Sequence, residues 1–95
     1  MWTHMVFFRL KEDKTQRSDE LCEKLLAMRG RIPQLKDIEA GTDVLHSGRS
    51  FDVGLITRFD SRDSMEAYQV HPVHQEVLAF VGTVVETSVT VDFVS

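Results

Sequence analysis

The segment Trp2–Leu10 constrains the fold most, because its pattern predicts a β-strand with apolar side chains on both faces. Successive side chains of a strand point to opposite faces of the sheet. The even-numbered residues of this segment are apolar except for His4, and Met5 and Phe7 place large apolar groups on the other face. A sheet built on such a strand needs a cover on each side.

A helix and two strands are predicted after this first strand. Apolar residues recur at helical spacing up to about Gly30, and Thr15 or Ser18 can cap the start of this helix. The alternation of apolar and polar residues then predicts a weaker strand over 35–45 and a clear strand over 51–59. The first part of the chain therefore has a β-α-β-β pattern.

A second helical region precedes the last strand. Asp60 or Ser61 can cap a short helix at its start. Pro72 suits the first position of a further helix, which is expected to fray near Gly82. Residues 86–94 alternate in polarity once more and predict the last strand.

The order β-α-β-β-α-β predicts a single ferredoxin-like domain of the α+β class over residues 1–95. Its four antiparallel strands would form one sheet, with the helices on one face. The other face would be exposed in a monomer, and its apolar surface indicates an interface with a second copy of the chain. The residues predicted for this homodimer interface are Met5, Phe7, Ile56 and Val94.

The composition favours a protein that assembles with itself rather than with nucleic acid or a membrane. Hydrophobic residues make up 42% of the chain, which is generous for a compact monomer of 95 residues. The net charge of −4 is opposite to the basic patch that nucleic-acid binding requires. No apolar run approaches the length of about 18 residues that spans a membrane. With a single Cys22 and no basic-apolar leader, we expect no internal disulfide and a cytoplasmic location.

Chemically versatile side chains are most concentrated between Tyr68 and His74, in the order Tyr-Gln-Val-His-Pro-Val-His. Pro72 pushes His71 toward an extended backbone and starts a helix whose first turn would contain His74. The positive end of the helix dipole disfavours a charge on His74 and so should lower its pKa. A neutral imidazole near a phenol can accept a proton or polarise a carbonyl group.

Four segments, in this order and spacing, resemble the stress-responsive dimeric α/β-barrel (Dabb) family: Thr3–Leu10, Ser50–Leu55, Tyr68–His74 and Val91–Phe93. The resemblance spans nearly the whole chain and implies a ferredoxin-like protomer whose sheet packs on the sheet of a partner. One plant member of the family is a polyketide cyclase that closes its substrate by an aldol condensation. Its key tyrosine and histidine match Tyr68 and His74, and the histidine of its first strand matches His4. A histidine on its third strand is replaced here, near Val53.

Two functions remain open at this point. In the first, a homodimer binds a small apolar or carbonyl-containing ligand between sheet and helices, and the missing third-strand histidine favours this alternative. In the second, an enzyme of the cyclase, lyase or isomerase type acts on a carbonyl substrate, with His74 as base and Tyr68 as electrophilic donor. His4 would close the same pocket. Either function needs a cavity of about 300 Å³ or more, and the residues predicted to line it are Val6, Phe8, His71, Val77 and Phe80.

Neither a metal nor a cofactor is predicted. The spacing of His71 and His74 permits metal binding, but His71 precedes a proline and should leave the helical face. No cysteine or carboxylate completes a site of the usual ligand count, and the chain has no glycine-rich phosphate loop, nucleophile elbow or Cys-x-x-Cys motif.

A purely structural role also stays open for His4 and His74, which could be hydrogen-bonded histidines of the core.

Overall fold

The computed structural model describes all 95 residues, and it confirms the ferredoxin-like α+β fold. The four strands form one antiparallel sheet in the order β2-β3-β1-β4. No helix is long and apolar enough to cross a membrane. In chain order the elements are β1 (Trp2–Leu10), a 3-10 helix (Glu12–Arg17), α1 (Ser18–Leu26), β2 (Asp37–Thr42), β3 (Val53–Phe59), α2 (Arg62–Val70), α3 (Pro72–Val84) and β4 (Val85–Val94).

The second and third strands are shorter than their patterns predicted. Strand β2 ends at Thr42, and Val44 and Leu45 project into solvent from the loop that follows. The carboxylate of Asp43 accepts a hydrogen bond from the backbone N–H of His46 at 2.7 Å. This local bond folds the chain back on itself, so the segment no longer pairs with the sheet.

The first helix begins without the predicted side-chain cap. Arg17 holds the capping position, but its side chain makes no capping hydrogen bond. The hydroxyl of Ser18 donates instead to the carbonyl oxygen of Thr15 at 2.8 Å, within the preceding 3-10 helix. The helix ends at Leu26, and the chain turns through Gly30, whose φ of 77° lies in the left-handed region that favours glycine.

Helices α2 and α3 meet at the bend that Pro72 predicted. Ser61 caps α2, because its hydroxyl accepts a hydrogen bond from the backbone N–H of Ser64 at 3.2 Å. His71 has an extended backbone with a ψ of 138°, as the following proline requires. Its Nδ1 accepts a hydrogen bond from the backbone N–H of Val73 at 3.1 Å, so the imidazole itself caps α3.

One face of the sheet is covered by the helices. On β1 this face carries Val6, Phe8 and Leu10, all of them buried. They belong to a cluster of 14 buried hydrophobic residues, in which Phe59 of β3 and Tyr68 of α2 are among the largest enclosed side chains. Burial of each large side chain stabilises the fold by about 1.5–3 kcal/mol, so this layer provides the main drive for folding.

The opposite face of the sheet is open. Met5 lies between Ile56 of β3 and Val91 of β4, so the three side chains point to the same side. Val94 was predicted for this face, but it pairs with Trp2 and therefore points to the helix side. The prediction was wrong by one position, which is enough to reverse the face of a strand residue. The apolar residues that do share the open face are named here the open-face cluster: Met5, Phe7, Ile56, Val89, Val91 and Phe93.

Alanine substitution at two glycines should change the free energy of unfolding in opposite directions. Gly30→Ala places a Cβ at a φ of 77° and should lower the free energy of unfolding by about 1 kcal/mol. Helix α3 continues past Gly82, where fraying was predicted, and a Cβ at this position meets no atom within 4 Å. Gly82→Ala should therefore raise the free energy of unfolding by about 0.5–1 kcal/mol. Urea denaturation measures both changes, and shifts of the same sign would contradict these backbone assignments.

Candidate functional site

A cavity of about 310 Å³ lies between the covered face of the sheet and the helices. Its walls are mainly apolar, and three side chains predicted to form a site, His4, Tyr68 and His74, face it together. Those side chains come from β1, α2 and α3, so the cavity depends on the packing of all three elements. The complete lining is His4, Val6, Phe8, Leu25, Leu55, Tyr68, Gln69, His74, Val77, Leu78, Val81, Ser88 and Thr90.

Tyr68 forms one wall of the cavity and is only 1% exposed. Its ring packs against Phe59 at a centroid distance of 4.9 Å and against His74 at 4.4 Å, with an angle of 42° between the rings of Tyr68 and His74. The two rings pack against each other at a tilt, and no direct hydrogen bond joins the Tyr68 hydroxyl to His74. Burial raises the pKa of Tyr68 well above its ordinary value, so the phenol keeps its proton and can act as a donor.

His74 lies in the first turn of α3, where the bend at Pro72 turns its ring toward Tyr68. Its Nδ1 is 2.9 Å from the backbone carbonyl oxygen of Gln69. Because a carbonyl oxygen only accepts, Nδ1 carries the proton and Nε2 holds the free lone pair. Burial is the main cause that lowers the pKa of His74, and a charge on the nearby His4 would lower it further, while the Gln69 bond acts in the opposite direction. The predicted direction is therefore confirmed, but the main cause is burial rather than the helix dipole.

His4 reaches the cavity from β1 and is 7% exposed. Its Nδ1 is 2.7 Å from the carboxylate Oδ1 of Asp92, which lies directly opposite on β4. The indole Nε1 of Trp2 donates to the same oxygen at 2.9 Å. An ionised carboxylate only accepts, so this bond places the His4 proton on Nδ1 and leaves Nε2 as the free acceptor.

Asp92 is the site residue that sequence reasoning missed. Its place within the last strand favoured a cap or a pairing at a sheet edge over a role as an acid. One feature of the sequence indicated the direction of its side chain. Asp92 alternates along the strand with Val91 and Phe93 and therefore points away from the open face. Parity alone could not identify the partner, because the bond to His4 joins residues 88 positions apart and depends on the strand register.

The structure brings only part of the predicted lining to the cavity. Val6, Phe8 and Val77 line it, whereas His71 and Phe80 do not. The His71 ring is turned back to cap α3, as described above. Phe80 lies outside the cavity, where it is partly buried against the hydrophobic core. The guanidinium of Arg17 and the ammonium of Lys24 lie 5.0 and 4.9 Å from its ring centre.

Metal-ligand side chains do not gather at this site. His4 and Asp92 are in contact, but no group of three or more histidine, cysteine, aspartate or glutamate side chains is placed to hold a metal ion. The polar groups of the cavity are instead two imidazoles, one phenol, one amide and two hydroxyls. This set can donate and accept protons or bind an uncharged polar ligand.

Comparison with known proteins agrees with this architecture. A dimeric protein of unknown function and ferredoxin-like fold from Bacteroides fragilis superposes with a TM-score of 0.85 at 25% sequence identity, over 97% of this chain and 93% of that chain. A dimeric ferredoxin-like protein of unknown function from Thermobifida fusca has a TM-score of 0.79 at 28% identity, over 99% and 90%. The hydroxynitrile lyase of Passiflora edulis shares the fold alone, with a TM-score of 0.83 at 19% identity over 99% and 92%.

No curated protein sequence matches the chain significantly. The profile of one family, described as the stress responsive A/B barrel domain, matches residues 3–95. That range includes all four strands almost completely, both sides of the cavity and the open-face cluster. This protein therefore belongs to the stress-responsive A/B barrel domain (Dabb) family.

Proposed function

We propose that this protein is a homodimer that binds a small, largely apolar ligand with a carbonyl group in the cavity of each protomer. The observation that supports this most is the cavity wall, where His4, Tyr68 and His74 stand among apolar side chains. The volume of about 310 Å³ lies at the lower end of the range of about 300–1,000 Å³ for ligand pockets. The ligand should therefore be small.

The polar groups of the cavity suit a carbonyl compound. The protonated phenol of Tyr68 can donate a hydrogen bond to a carbonyl oxygen. The free Nε2 atoms of His4 and His74 are acceptors, so they suit a hydroxyl or enol group on the same ligand. Burial disfavours a positive charge on His74, which makes the cavity a poor site for an anion that needs a cationic partner.

The homodimer is supported by the open-face cluster. Apolar side chains on an uncovered sheet face are typical of an interface, because water solvates them poorly. Two-fold symmetry would place the cluster of one protomer on the same cluster of its partner. The similar proteins from Bacteroides fragilis and Thermobifida fusca are both described as dimeric.

The contact between His4 and Asp92 favours a second function, which is acid–base catalysis on a carbonyl substrate. A carboxylate bonded to Nδ1 orients an imidazole and stabilises the cation formed when Nε2 takes a proton. In this reaction Nε2 of His4 or His74 would take a proton from the carbon next to the carbonyl group. The Tyr68 hydroxyl would stabilise the resulting enolate oxygen by a hydrogen bond. The lyase in the comparison shares only the fold and does not decide between the two functions.

A titration with acetophenone, a small aromatic ketone, tests ligand binding. Amide resonances of the cavity residues should shift in the NMR spectrum of the protein. Tyr68→Phe removes one donor and almost no volume, and it should weaken binding roughly three- to tenfold, as expected for a hydrogen bond of about 0.5–1.5 kcal/mol. His74→Ala should weaken binding as well. His46→Ala is the matched control, because His46 is exposed in a loop outside the cavity.

The same ketone separates binding from catalysis. Proton abstraction would exchange its methyl protons for deuterium in D₂O, which NMR follows without assuming any product. If the parent protein catalyses this exchange and the variants Asp92→Asn and His74→Ala do not, the result favours acid–base catalysis. If the ketone binds without exchange, the result favours ligand binding alone. If Tyr68→Phe and His74→Ala leave binding unchanged but lower the free energy of unfolding by about 1–3 kcal/mol, both groups are structural and the proposed function is wrong.

The dimer predicts different effects for two aspartate substitutions. Sedimentation of the parent protein at micromolar concentration should give about twice the chain mass of 10.9 kDa. Ile56→Asp places a charge in the open-face cluster and should dissociate or unfold the protein, because an unpaired buried charge is costly. Val94→Asp is the control, since Val94 is 74% exposed and points to the helix side. A folded monomer in the parent protein would contradict the dimer.

The lowered pKa of His74 predicts how stability changes with pH. The unfolded chain binds the His74 proton near the ordinary pKa of 6.5, whereas the folded protein binds it only at lower pH. The contribution of this group is therefore present above pH 6.5 and is lost as the pH falls from there to the folded pKa. NMR titration of the ring measures that pKa, and urea midpoints of the parent and His74→Gln over the same pH range measure the loss. A folded pKa above the ordinary value would contradict the assignment.

A further inference from the structure

Strand β4 carries its polar side chains on the face that points to the helices. Ser88, Thr90 and Asp92 alternate along it with the apolar residues of the open-face cluster. The neighbouring strand β1 has an apolar pair, Val6 and Phe8, directly opposite Thr90 and Ser88 on this face. Strand β4 lies at the edge of the sheet and is exposed from Glu86 onward, so these polar side chains are accessible rather than part of the core.

The three polar residues of β4 form a row that starts at the histidine end of the cavity. Asp92 is already bonded to His4. Thr90 and Ser88 line the cavity and remain exposed, so their hydroxyls are available to a guest. Side chains two residues apart on a strand are about 7 Å apart, which places Thr90 about 7 Å from the position of Asp92.

We infer that the Thr90 hydroxyl, with Ser88 beyond it, forms a second polar subsite that selects ligands with a further hydrogen-bonding group at the end remote from their carbonyl group. This inference rests on the proposed function, since it assumes that the carbonyl group lies at Tyr68 and the two histidines. The body of the ligand then lies along β1 and β4, with Val77 and Val81 of α3 against its apolar faces.

The subsite defines a chemical class of ligand. A hydroxyl side chain both donates and accepts, so it suits a phenol, an alcohol or a second ketone. A flat ring with a carbonyl substituent and a hydroxyl para to it carries its two polar groups at opposite ends and fits a small cavity with apolar walls. An aliphatic ketone of equal size without a second oxygen leaves the Thr90 hydroxyl without a partner from the ligand.

Two ketones that differ by one hydroxyl group test this inference. NMR titration of the parent protein should give a dissociation constant for 4-hydroxyacetophenone roughly three- to tenfold lower than for acetophenone, as one hydrogen bond would provide. Thr90→Val keeps the shape of the side chain and removes its hydroxyl, so it should abolish this preference by weakening the binding of 4-hydroxyacetophenone. Thr87→Val is the matched control, because Thr87 is on the same strand but on its opposite face.

The outcomes separate this inference from the proposed function. If acetophenone binds the parent protein but both ketones bind equally, or if Thr90→Val keeps the preference, the subsite is wrong and the proposed function stands. If the control variant Thr87→Val also loses the preference for 4-hydroxyacetophenone, the subsite is wrong too, because the effect would then come from the strand rather than from the cavity. If neither ketone binds the parent protein, the proposed function is wrong and the inference with it.

Discussion

The arrangement of this protein depends on β1, a central strand that is hydrogen-bonded to β3 on one side and to β4 on the other. Its even-numbered residues Val6 and Phe8 are buried under the helices, whereas its odd-numbered residues Met5 and Phe7 lie on the open face. A slip of one residue would exchange the two sets. The burial of Val6 and Phe8 under the helices therefore holds the register, and the register in turn decides where His4 lies.

The candidate site is assembled from two kinds of contact that differ in sequence range. Tyr68 and His74 are brought together locally, because Pro72 ends one helix and starts the next within a few residues. His4 and Asp92 meet only because β1 and β4, which come from opposite ends of the chain, pair in one register. The cavity exists where these two pieces face each other, so local unfolding of either one would open it.

The family fold does not by itself decide what the cavity does, since folds host many chemistries and the similar lyase shares only the architecture. The side chains of the cavity indicate the function instead. Burial keeps the phenol of Tyr68 protonated and disfavours a charge on His74, so the cavity offers a donor and neutral acceptors in a mainly apolar space. Such a combination suits a polar but uncharged group on a small ligand.

The sequence by itself determined those features that depend on neighbouring residues. The two-residue period of β1, the Ser61 cap and the bend at Pro72 all follow from local pattern and backbone chemistry. These features have physical causes that act over a few residues, and so they could be predicted without knowing which elements would pack together.

Tertiary structure alone decided which of the predicted residues meet. Val94 points to the helix side and Asp92 bonds His4 because of how β4 pairs with β1, and a one-residue change in that pairing would reverse both. Phe80 shares the apolar stripe of its helix, yet it lies outside the cavity and beneath two cationic side chains. The physical reason is the same in each case. Periodicity assigns a side chain to a face, but only the pairing of distant strands and the docking of helices assign it a partner.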